Sequence, residues 1–168
     1  MPATSLFHIA IKTGKPEASK RFYEQVFGMS ESPRPKFEFP GYWMQLNTPH
    51  GGSILHIYTG SAALRNDGTL PTGSGAIDHI ALSAHGFAQM RERCRALGIP
   101  YREREVPGFP LWQLFCYDPN GIQFEMNFHA EHEARLDVAV EPGNWVKAGV
   151  EWFEPEAYRQ FETETGTG

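Results

Sequence analysis

The chain has 168 residues, about one domain's length, and its 40% hydrophobic and 13% aromatic content is enough for a core and excludes wholesale disorder. The formal net charge is −5, from 15 basic and 20 acidic residues, which argues against general nucleic-acid binding. Two cysteines, Cys94 and Cys116, cannot make a disulfide framework and predict a reducing, cytoplasmic setting. No apolar stretch has the length of a membrane span and no leader precedes residue 6, so the expected partners are small molecules, with no nucleic acid and no membrane.

In chain order, residues 6–11 (Leu-Phe-His-Ile-Ala-Ile) predict a strand and 16–27 a helix that stops at Gly28. Strands follow around residues 43–46 and 53–58. Residues 61–75, rich in Gly, Ser, Thr and Pro, read as a connector. A strand around 77–82, a helix over about 87–97 stopping at Gly98, and strands at 101–105, 111–117 and 122–128 complete the body. Residues 131–168 carry nine acids and three bases, a net of −6, whereas the first 130 hold 11 acids and 12 bases. The extension is therefore acidic and the body nearly neutral. Its residues 138–153 are apolar enough to pack on the body or on a partner subunit, a short helix is expected from about Pro155, and 163–168 should be loose.

The body repeats itself. Residues 6–11 answer 77–82 at an offset of 71, Gln45 answers Gln113 at 68, and His56 answers Glu125 at 69. Each copy reads strand, helix, then two or three strands. A copy of about 55 residues is too small to cover both faces of its sheet. The expected fold class is thus α+β, two tandem modules (about 6–59 and 77–128, joined by 60–76) curled into a barrel-like mixed sheet with a central metal cavity. The domain spans 1–130 and the extension 131–168.

Side chains alternate faces along a strand. That rule puts His8, Gln45, His79, Gln113, Gln123 and Glu125 on the inward face, with His56 less cleanly placed because it shares a face with Ile54 and Tyr58. Inward polar groups left unpaired cost about 1–3 kcal/mol each. Taken singly, each histidine reads as a hydrogen-bonded core residue. Taken together with Glu125, the set suits one divalent metal: Fe, Ni, Co, Zn or Mn. His56 adds a fourth donor. Trp43, Phe109, Trp112 and Tyr117 are candidates for an apolar substrate wall, although the face of Trp112 favours packing. Residues 37–43 form an aromatic lip or an edge strand. Arg102 and Arg104 read as exposed charges on an edge strand or as contacts to a substrate carboxylate. His129 and His132, spaced i, i+3, read as a solvated turn.

Residues 7–11 (Phe-His-Ile-Ala-Ile), 18–29 (Ala-Ser-Lys-Arg-Phe-Tyr-Glu-Gln-Val-Phe-Gly-Met), 78–81 (Asp-His-Ile-Ala) and 118–125 (Asp-Pro-Asn-Gly-Ile-Gln-Phe-Glu) resemble the vicinal oxygen chelate superfamily. That group includes glyoxalase I, methylmalonyl-CoA epimerase, fosfomycin-resistance enzymes, bleomycin-binding proteins and extradiol dioxygenases. The resemblance covers roughly residues 6–129. It implies paired βαβββ modules, a metal held by His8, His79 and Glu125, and a homodimer whose site can be shared between chains. It also places His56 at the fourth ligand position of glyoxalase I and the epimerase, where Glu or Gln is usual. The metal would act as a Lewis acid and Glu125 would move a proton, giving an isomerase, lyase or epimerase. The first alternative is an Fe(II) dioxygenase. Extradiol enzymes carry a His some eight residues before the Asp-Pro-x-Gly turn and a Tyr just before it; here residues 107–115 lack His, and Phe115 takes the Tyr place. The second alternative is a non-catalytic binder of the antibiotic-resistance type, a class that generally lacks the three metal ligands.

Overall fold

The computed structural model describes residues 6–47, 52–133, 140–141 and 143–162, with backbone alone at Ser53. The chain divides into two compact units whose boundary falls between Pro71 and Thr72.

The first unit holds β1 (Ile9–Lys12), α1 (Pro16–Phe27), β2 (Ser30–Glu31), β3 (Gly41–Gln45) and β4 (Ser53–Tyr58). They form a four-stranded mixed sheet in the order β1-β4-β3-β2, with β1 parallel to β4 and the other pairs antiparallel. Pro16 opens α1, where its missing N–H costs nothing, and Gly28 closes it in the left-handed conformation at φ 64°. Ala18, Phe22, Tyr23 and Val26 recur at helical spacing and are buried, as are Ile11, Met44, Leu55 and Ile57 on the sheet face that receives them. A Cβ at Gly41 would stand 2.0 Å from the Ile57 carbonyl oxygen, so the approach of β3 to β4 requires glycine there.

The second unit repeats the topology with β5 (Ile80–Ala84), α2 (Phe87–Ala96), β6 (Tyr101–Glu105), β7 (Leu111–Tyr117) and β8 (Gln123–His129), in the order β5-β8-β7-β6. The fold is therefore α+β, two tandem βαβββ modules. Among the described residues the hydrogen-bonded strands form two four-stranded sheets, where one curled sheet was expected. Phe87 of α2 stacks on Trp112 at 5.6 Å and meets Phe128 edge-on at 5.2 Å, which sets Trp112, Leu114, Phe124, Met126 and Phe128 on the helix side. Cys94 and Cys116 are buried free thiols, and desolvation pushes the Cys94 thiol up to about 12. Glu133 accepts from the amides of Gly86 and Phe87, each at 2.8 Å, and so caps the start of α2. In the Asp-Pro-Asn-Gly turn, buried Asp118 accepts from the amides of Asn120 (2.9 Å) and Ile122 (2.8 Å), which fixes the entry into β8.

The acidic extension packs within the second unit. Trp145 bridges Glu103 in parallel; the Glu103 amide donates to Asn144 O at 2.7 Å, and the Val146 amide donates to Glu103 O at 3.3 Å. β6 is the edge strand of its sheet, as expected, and the extension covers it at Glu103; Arg102 and Arg104 are half-buried there, not exposed. The expected helix after Pro155 is a 3-10 helix, Pro155–Phe161, which buries Tyr158 and Phe161. Residues 138, 139 and 163–168 lie outside the described ones. Among the described residues no helix is long and apolar enough to cross a membrane.

Candidate functional site

Strand register makes the two units comparable. In the first, Ala10 of β1 pairs with His56 of β4, and in the second, Ala81 of β5 pairs with Glu125 of β8. His8 and His79 each stand two residues before those alanines. His8 and His56 therefore occupy, in the first unit, the positions that His79 and Glu125 occupy in the second. The same register sets Trp43 opposite His56 and Phe115 opposite Glu125. The strand match of Gln45 with Gln113 is thereby corrected: Trp43 corresponds to Phe115, four residues away from that alignment.

In the second unit, His79 Nδ1 lies 2.7 Å from Asp78 Oδ1 and Nε2 lies 3.3 Å from Glu125 Oε2. Asn127 donates to Glu125 Oε1 at 2.7 Å, and Gln113 donates to Asn127 Oδ1 at 3.1 Å. A proton on Nδ1 directed at Asp78 leaves the Nε2 lone pair facing a carboxylate oxygen. A ring proton or a cation would bridge that pair, and an outer carboxylate on a histidine is the arrangement that orients metal-binding imidazoles. Glu125 and Gln123 are buried although they point away from α2, because the extension crosses in front of them.

In the first unit, three rings stack. Trp43 lies 4.2 Å from His56 at 6° between planes, and His56 lies 4.0 Å from His8. The alternation question is thereby answered: Leu55 and Ile57 take the helix side and His56 the other. Burial, with His8 and Arg34 nearby, lowers the His56 pKa and keeps its lone pair available. His8 Nδ1 is buried and has no hydrogen-bond partner. In the first unit the orphaned His8 Nδ1 and the His56 imidazole, and in the second the His79–Glu125 pair, are each of the chemistry that a divalent cation takes as ligands. Each unit brings two such donors; among the described residues no three or more His, Cys, Asp or Glu side chains form a group able to hold a metal.

The remaining candidates fall elsewhere. Gln45 donates to the Ser30 hydroxyl at 3.4 Å, Trp112 is core, and exposed Phe109 sits in the β6–β7 turn and lines neither described cavity. His129 and His132 are exposed. Residues 37–43 make an aromatic cluster: Phe37 stacks on Phe39 at 5.4 Å, with Arg34 over both rings.

Two cavities open on the helix-free side of the second sheet. The smaller, about 50 Å³, is lined by His79, Glu125, Phe115, Arg104 and residues 146–150. The larger, about 390 Å³, is lined by residues of the connector, Tyr117, Gln123 and residues 149–151. That the extension packs on the body was expected from its apolar residues, whereas no motif marks its residues 146–151 as lining these cavities.

A sequence model of the Glyoxalase/Bleomycin resistance protein/Dioxygenase superfamily matches residues 5–126. The chain belongs to that superfamily. A divalent metal is common among its members. Solved structures share the fold. A glyoxalase family protein from Bacillus anthracis is 17% identical, with a TM-score of 0.58 over 77% of this chain and 98% of that one. A lactoylglutathione lyase from Agrobacterium tumefaciens is 19% identical, with a TM-score of 0.56 over 76% and 96%. A fosfomycin resistance protein from Listeria monocytogenes is 18% identical, with a TM-score of 0.57 over 76% and 94%. No curated protein sequence matches the chain.

Proposed function

We propose that this superfamily member is a metal-dependent enzyme, an isomerase, lyase or epimerase acting on a small molecule with vicinal oxygens. Its metal ligands would be His8 and His56 in the first unit and His79 and Glu125 in the second. The observation that carries the reading is the shared register: the two modules present donor pairs at matching positions, at Ala10↔His56 and at Ala81↔Glu125. A divalent cation supplies a Lewis acid that polarises paired oxygens and stabilises the negative charge of an enolate or oxyanion. The chain's own residues do the rest. Asp78 orients His79, Asn127 holds Oε1 of Glu125, and Oε2, which faces His79, would swing off the cation to take and return the substrate proton. Trp43 and Phe115, opposite the donor positions, give apolar contacts that limit water. Gln123 and Gln113 supply polar contacts on the same face. The extradiol reading is disfavoured because Phe115, edge-on to His79 at 5.9 Å, offers no acid or base where that chemistry needs one.

The test is metal analysis of anaerobically purified protein, followed by oxygen uptake with catechols. Nickel, cobalt, zinc or manganese bound without oxygen uptake, and lost in His79→Ala and Glu125→Ala, is the expected result. Metal retained in full by both variants overturns the ligand set. Iron with oxygen consumption turns the assignment to the dioxygenase.

A further inference from the structure

The small cavity beside His79 and Glu125 contains two cationic side chains with no assigned partner. Arg104 comes from β6 and Lys147 from the extension. Their meeting is a consequence of backbone pairing: Glu103 is bridged to Trp145, and Arg104 and Lys147 lie one and two residues further on. The other cations of this region are engaged. Arg91 binds Glu103, Arg95 binds Glu141, and Arg102 donates to Tyr101 O at 3.0 Å beneath the Trp152 ring. Among the described residues the side chains of Arg104 and Lys147 make no hydrogen bond or ion pair. The two carboxylates in the same cavity are already in use. Asp78 lies on His79 Nδ1, and Glu125 is held by Asn127 and faces His79 Nε2. Arg104 and Lys147 line one partly enclosed space, and a guanidinium and an ammonium so placed want an anion, which a carboxylate matches.

The adjoining larger cavity has the opposite character. It shares Asp78, Gln123, Gly149 and Val150 with the small one, adds Glu151, and has no Lys or Arg in its lining. A second negative charge placed there would meet carboxylates and no cation, so a tail carrying phosphates or further carboxylates is disfavoured.

We infer that Arg104 and Lys147 form a carboxylate subsite, and that the substrate is a small monocarboxylate whose remaining portion is neutral or cationic. This rests on the proposed function, in which the His79–Glu125 face is the reaction site. It makes the extension part of the substrate-binding wall, through Lys147.

The test is calorimetric titration of the purified protein, at its measured metal content, with lactate and with its neutral counterpart lactamide. The parent should bind lactate about tenfold more tightly than lactamide, the scale expected for a charge-assisted contact. Arg104→Gln/Lys147→Gln should lose that preference while its affinity for lactamide and its metal content stay unchanged. Arg159→Gln, the loss of one positive charge outside both cavities, should behave as the parent. Equal affinity of the parent for the two probes, including no binding of either, overturns the subsite, as does a preference that survives in the double variant. If the double variant fails to fold, Lys147→Gln alone, on an exposed side chain, decides the same question: a partial loss of preference supports the subsite, and a full preference overturns it. Metal content is read separately: protein that binds no metal refutes the cation proposal, and the lactate preference is still decided in the same titration.

Discussion

Glu103 Oε2 accepts a hydrogen bond at 2.9 Å from the backbone amide of Glu141, 38 residues later in the chain. The same fully buried carboxylate receives Arg91 Nη2 at 2.7 Å and Arg91 Nε. One carboxylate thus neutralises a helix arginine and anchors the start of the segment that delivers Lys147 to the small cavity.

Replacing Glu103 by Gln removes the charged half of a buried ion pair and leaves Arg91 the longer contact to Glu141 at 3.9 Å in its place. The expected cost is about 3–5 kcal/mol. Denaturant unfolding measures it. Hydrogen exchange should show the Val146 amide losing protection, because its partner strand position is no longer held.

Glu141 gives the extension a pH dependence. Arg95 bonds to its carboxylate, aided by Tyr101 and Arg91, and lowers its pKa from the ordinary 4.5. A carboxylate whose folded value is depressed stabilises the native state above its unfolded value, and that contribution is lost as pH falls through the folded value. Stability should therefore decline on acidification below about pH 4.5. Glu141→Gln should flatten that part of a thermal-unfolding pH series, and an unchanged slope would disconnect Glu141 from it.

Glu133 predicts a smaller effect. Its two oxygens cap α2 from outside the helix, and Glu133→Ala should cost about 1 kcal/mol. The unfolding midpoint should drop by a few degrees in a chain of this size. Glu131→Ala, in the same turn and exposed, is the comparison that should not move.

Metal removal follows from the proposed function. A cation that binds only the folded chain raises stability by about 2.7 kcal/mol at a hundredfold excess over its dissociation constant. Chelation should lower the melting temperature of the parent and leave His79→Ala unmoved. Equal shifts in both would place the cation elsewhere.

The faces of the strands were legible in the sequence. The alternation of Phe124, Met126 and Phe128 with Gln123, Glu125 and Asn127 is local chemistry, and the helix-side burial of the first three follows it. The helix stops at Gly28 and near Gly98 were legible for the same reason, since a left-handed residue ends a helix wherever it stands. His56 was ambiguous because its face also carries Ile54 and Tyr58, and only the burial of Leu55 and Ile57 against the other side separates the two.

What the sequence alone determined is this doubled βαβββ pattern and the side of each sheet on which His8, His56, His79 and Glu125 lie. Tertiary structure decided register and partners. Matching Gln45 to Gln113 kept every side chain on its proper face and still missed by four residues, because a pattern of period two is unchanged by an even shift. Only the hydrogen-bonded pairs Trp43↔His56 and Phe115↔Glu125 remove that freedom. Likewise Arg102 and Arg104 share a face and a charge, so no local signal tells them apart. The chain folding back along Glu103 places Trp152 over Arg102 and leaves Arg104 beside His79.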